Sequence, residues 1–128
     1  MQPTGPRDAI TASGVNPFQV GAVVLVTLAN PREKFWGAIL ALAGQGLSLS
    51  GIELASFEDL ISMIKAGEQA VSGVVFFPMH RIERVELDLH NDNVPSLSQR
   101  FTTKTGLDPA SFFTRHLAAL FDPSGDQR

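Results

Sequence analysis

Between Val20 and Leu89 the chain is a succession of short apolar runs, each cut by a glycine or a turn signal before a long helix could form. Val23-Val24-Leu25-Val26-Thr27-Leu28 is β-branched and stops at Asn30-Pro31, so it reads as a first strand. Phe35 to Leu42 has the alanine content of a helix. Gly37, Asn30-Pro31 and Gly44-Gln45-Gly46 favour a strand instead, and a glycine inside it permits the bend that a small closed sheet needs. Leu47-Ser48-Leu49-Ser50 alternates, slips phase at Gly51 and resumes as Ile52-Glu53-Leu54, the pattern a bulge produces. Val74 to Phe77 makes a fourth strand ended by Pro78, and Met79 to Ile82 a turn. In a fifth strand Val85, Leu87 and Leu89 alternate with Arg84, Glu86 and Asp88, which predicts one buried and one solvated face.

Helical periods interrupt and follow these strands. Phe57, Leu60, Ile61 and Ile64 fall at i, i+3, i+4 and i+7 after Ser56, with Glu58 and Asp59 in the first turn and Gly67 beyond the end, predicting a helix over 56–66 between strands three and four. After the turn cluster His90-Asn91-Asp92-Asn93, Val94, Leu97 and Phe101 keep helical spacing up to Gly106. Asp108 then caps a last helix with Pro109 at its first position and an apolar stripe of Phe113, Leu117, Leu120 and Phe121. The expectation is mainly β with α: a five-stranded antiparallel barrel, one inserted helix and a C-terminal helical annex. Residues 1–17, rich in Pro, Gly, Ser and Thr, read as a flexible arm, 18–121 as a single domain (18–90 the barrel, 94–121 the helices) and 122–128 as a frayed tail.

Composition narrows the function classes. With 44% hydrophobic and 18% charged residues in 128 the chain should fold as one core, and its formal charge of −3 supplies no overall field toward nucleic acid or anionic membrane. The absence of cysteine removes disulfides, thiolate nucleophiles and cysteine-based metal sites, and suits a reducing compartment. A cytoplasmic protein is expected, with no secretory leader and no membrane insertion.

Val24-x-Val26-x-Leu28-x-Asn30 followed by Phe35-x-Gly37-x-Ile39, and Pro78-Met79-His80-Arg81-Ile82-x-x-Val85, resemble the two motifs of the bacterial Sm-like RNA chaperone family (Hfq) over residues 20–89. The resemblance implies an Sm/SH3-like barrel, a homo-oligomer and single-stranded RNA as ligand. Met79 stands where that family has the lysine of a Lys-His pair, and Ala43-Gly44-Gln45-Gly46 lacks its acidic loop, so the barrel can be shared without the RNA site.

The candidate binding residues are His80 and Arg81 on the turn and Arg32, Lys34 and Trp36 on the first hairpin, a basic and aromatic combination of the kind that single-strand platforms use. Each has a plainer reading, His80 as a turn residue packed on Phe77 and Trp36 as core. Arg100 and Lys104 add a modest i, i+4 basic stripe for which a solvent-facing role suffices. His80-x-x-Glu83 with His90 and Asp92 does not gather metal ligands, because a strand does not bring residues three apart onto one face. Ser48 and Ser50 lack a nucleophile elbow and His116 lies beside an apolar stripe, so no nucleophile, base and oxyanion donor assemble. The expectation is a non-enzyme without cofactor or metal. Its leading function is an interaction module that binds a protein partner or itself; the alternative is an Sm-like RNA-binding oligomer, and a small-molecule sensor ranks third.

Overall fold

The computed structural model describes residues 16–115, in which five strands form one antiparallel sheet. These are β1 (Val23–Leu28), β2 (Glu33–Ala43), β3 (Gly46–Glu53), β4 (Gly73–Pro78) and β5 (Ile82–Leu87), in the order β4-β3-β2-β1-β5. The helix α1 (Phe57–Lys65) joins β3 to β4, and α2 (Leu97–Thr105) and α3 (Pro109–Thr114) follow β5. The ladder has two edges, with no pairing of β4 to β5, so it is an open sheet where a closed barrel was expected. His116, Leu117, Leu120, Phe121, the tail and most of the arm lie outside the described residues.

The open sheet is nevertheless tightly curled. Laid flat, five strands would hold their edges about 19 Å apart. The edges are joined by a single turn, Met79–Arg81, and the four Cα steps from Pro78 to Ile82 span at most about 14 Å. Ala29 N donates to Arg81 O at 2.9 Å and Met79 N to Gln45 O at 2.8 Å, which fixes that turn across one end of the curl. A row of glycines makes the curl possible: Gly37 pairs with Gly51, and Gly51 with Gly73. A Cβ at Gly37 would stand 2.6 Å from the Gly51 Cα and collide with the Ser50 carbonyl.

Two apolar layers lie on opposite faces of this sheet. Inside the curl Val24, Val26, Leu28, Ile39, Leu47, Leu49 and Phe77 form a core made of strand residues alone. On the outer face Trp36 and Ala38 are covered by Phe57, Leu60 and Ile61 of α1, Phe101 of α2 and Phe112 and Phe113 of α3. Trp36 meets Phe57, Phe101 and Phe113 with ring centroids 5.1, 5.4 and 4.8 Å away, mostly edge-on.

The second layer corrects the reading of Gly51. Alternation through β3 is unbroken, with Leu47, Leu49 and Gly51 on the inner side, and the register shift of the β2–β3 ladder falls between Ile39 and Ala41. Ile52 is apolar because the outer face is helix-covered there, so the pattern changes phase while the strand does not. Asp88 is corrected likewise. Its carboxylate is half-buried and engaged within the fold; it accepts from Trp36 Nε1 at 2.9 Å, from the backbone N–H of Leu97 at 3.0 Å and of Ser98 at 2.7 Å, and from Ser98 Oγ at 2.7 Å. One side chain thus binds the start of α2 to the indole at the centre of the outer layer.

The helix ends follow their sequence signals. Ser96 and Gln99 form a reciprocal capping box on α2, Gly106 ends it at φ 77°, and Asp108 accepts from Ser111 N at the start of α3. Val94 does not belong to α2; it closes a small bridge with Asn91 and is exposed. Leu89 lies beyond β5 and is exposed as well.

Candidate functional site: the β4 edge

The structure separates the charged and aromatic residues singled out in the sequence. Trp36 is fully buried under the helices and donates to Asp88. The Arg81 guanidinium is spent inside the fold: Nη1 donates to the carbonyls of Ala29 and Pro31, and Nη2 pairs with Glu33 at 2.8 Å. It clamps the β1–β2 turn to the β4–β5 turn. Arg32 is exposed and meets Glu83 at 3.3 Å, while Lys34 and His80 are exposed. Trp36 therefore offers no stacking platform to the three that face solvent. Arg100 pairs with Glu58 at 2.7 Å and lies over the Phe57 ring, so it links α2 to α1. Among the described residues no three His, Asp or Glu side chains gather to hold a metal ion, and no helix is long and apolar enough to cross a membrane.

An open groove of about 610 Å³ runs between β1, the start of α2 and the start of α3, bordered by Val23, Pro95, Ser98, Gln99, Thr102 and Asp108. Its main polar groups already have partners within the fold. Ser98 Oγ donates to Asp88, Thr102 Oγ1 to Leu107 O, Gln99 belongs to the capping box and Asp108 caps α3. A ligand site needs several convergent groups with bonding capacity to spare, and here four of the five polar side chains that line the groove are already engaged within the fold, Thr103 being the exception.

The β4 edge is different. From Gln69 to Met79 no residue is charged, and β4 pairs along one side only, with β3. Val75 and Phe77 turn into the inner core, which leaves Val74 and Phe76 on the outer face, each 55% exposed. Val71 at 57% and Met79 at 41% are exposed just before and just after the strand. Phe76 is held in place, since its ring lies over Gly46, where a Cβ would come within 2.7 Å of Cζ. Sequence reasoning marked Val74 to Phe77 as a strand but named none of them as a site. The signal was available in the uncharged run, unlike anything at the opposite edge, where β5 carries Glu83, Arg84 and Glu86. Edge strands are ordinarily blunted by charge, bulge or proline, and β4 has only Pro78 at its last position.

Comparison with protein-family models, with curated proteins and with solved structures finds no match to this chain.

Proposed function

We propose that this chain is a non-catalytic interaction module, a small curled-sheet variant of the Sm/SH3-like barrel that docks a partner by strand addition at β4. The observation that carries the reading is the contrast between the two edges, one charged and one apolar with unpaired backbone. An added strand satisfies the outer main-chain groups of β4 and covers Val74 and Phe76 in one step. The same edge is open to a second copy of this chain, so self-association is the first thing to measure. Light scattering across a concentration series is expected to show a mass rising above that of one chain. The double variant V74K/F76K, altered only at exposed positions, is expected to stay at one-chain mass. Association that survives both lysines, or a one-chain mass at every concentration, overturns the reading.

A further inference from the structure

The bonding phase of β4 follows from one hydrogen bond just beyond its end. Gln45 and Met79 continue the register in which Gly46 faces Pro78 and Leu47 faces Phe77, and Met79 N donates to Gln45 O at 2.8 Å. Bonded residues alternate along an antiparallel ladder, so Gly73, Val75 and Phe77 give their backbone groups to β3. The N–H and C=O groups of Val74 and Phe76 therefore point out from the edge, and these are the two residues of the strand whose large side chains are exposed. Pro78, next in the same phase, offers a carbonyl but no N–H. The opposite edge does not match this one. On β5 the register shift leaves Glu83 without a partner on β1, and the charges there are used in pairs, Arg32 with Glu83 and Arg84 with Glu86. An uncharged strand with two outward donors and two outward acceptors is complementary to itself.

A second β4, laid antiparallel about a two-fold axis at Val75, sets Val74 opposite Phe76 of the other copy at both ends of the contact. Each such pair exchanges two N–H···O bonds, so every outward group of Val74 and Phe76 in both chains is used. Neighbouring registers leave groups over. An axis at Phe76 brings Val74 against Pro78, which cannot donate, and an axis at Val74 brings Phe76 against Ser72, outside the strand. The Val75 register also sets a β-branched side chain against an aromatic one on the outer face, a favourable cross-strand pair. We propose that β4 pairs with β4 of a second copy across a two-fold axis at Val75, joining two five-stranded sheets into one. The inference rests on the docking reading and deepens it, naming this chain as its own partner and a closed dimer as the assembly.

The cysteine-free chain lets the register be read directly. For the full-length protein, the mass from light scattering is expected to level off at two chains as concentration rises. Mild oxidation of V75C is expected to give a two-chain disulfide, because Val75 meets its own copy at a non-bonded position, with Cα atoms about 4.5 Å apart. An equal mixture of V74C and F76C, both altered at exposed positions, is expected to give mainly the mixed disulfide, since cysteines of the same variant lie on diagonals about 7 Å or more apart. V74P removes one outward donor per chain and leaves the β3–β4 bonds in place. It is expected to weaken association at least about tenfold with an unchanged circular dichroism spectrum. Mass that passes two chains, absence of both the V75C and the mixed disulfide, or same-variant disulfides as abundant as the mixed one overturns the two-fold pairing. The docking reading then stands if V74K/F76K still abolishes association. One-chain mass throughout, or association that V74P leaves unchanged, removes both.

Discussion

At the scale of single residues, polar side chains in the outer layer sort sharply by whether their bonding is complete. Asp88 accepts from the indole, two backbone amides and a hydroxyl, so the partial burial of its carboxylate is compensated by four hydrogen bonds. Thr27 is the opposite case: it is 1% exposed and, among the described residues, its Oγ1 has no hydrogen-bond partner. A buried hydroxyl without a partner loses its hydration with no compensating bond. Replacing it by the same shape without the oxygen removes that cost and raises apolar burial in a β-favouring position. T27V is therefore expected to stabilise the protein by about 1 kcal/mol, raising the melting temperature by about 4–8 °C in a calorimetric scan. An unchanged or lowered midpoint would show that the hydroxyl is bonded in solution.

Elements built on local period were legible in the sequence, and those built on contacts between layers were not. The strand at Val23–Leu28, the helix at Phe57–Lys65 and the Asp108-Pro109 start of α3 follow from patterns of a few residues, which local sterics and capping decide. The slip at Gly51 misleads because β3 faces apolar surroundings on both sides near Ile52, so hydrophobicity ceases to report orientation. Trp36 kept two readings, core and binder, and Arg81 was a candidate binder, because composition cannot show that Asp88, 52 residues from Trp36, and Ala29, 52 from Arg81, are their partners. The β4 site was half legible: its lack of charge is in the sequence, but its edge position depends on which strands pair. The glycine row is an element-scale device with a clear test. A Cβ on Gly51 would lie 2.9 Å from the Gly37 Cα and collide with the Trp36 carbonyl, both backbone atoms locked in the ladder. G51A is expected to cost at least about 3 kcal/mol. At Gly44, in the β2–β3 turn, nothing lies within 4 Å of an added Cβ, so G44A is expected to shift the urea midpoint little. Equal midpoints for the two variants would mean that the sheet relaxes around Gly51 and that the close approach does not set its curl.

Across the whole molecule, the two apolar layers share one sheet and neither has a second sheet of its own. The inner core closes only because β1 to β5 curl around it, and the outer core exists only while Trp36 and Ala38 on β2 present a surface to the helices. The sheet holds the helices by named bonds: Asp88, just past β5, holds the start of α2 and Ser50 on β3 holds the end of α3, while Arg81 on the β4–β5 turn holds the β1–β2 turn. Loosening the sheet removes the floor of the helical layer, and stripping the helices exposes the indole and the aromatic side chains packed around it. Neither layer therefore has an independent route to stability, and unfolding is expected to be a single cooperative step. Trp36, the chain's one tryptophan, makes this measurable, because its fluorescence reports the outer layer while far-ultraviolet circular dichroism reports the backbone of strands and helices together. The two urea curves are expected to coincide. Truncation in the inner core, F77A, is expected to shift both to lower urea by the same amount, about 3 kcal/mol in stability, although Phe77 lies on the opposite face of the sheet from Trp36. A tryptophan transition that precedes the backbone transition, or one that F77A leaves in place, would instead show the helices leaving a sheet that stands without them.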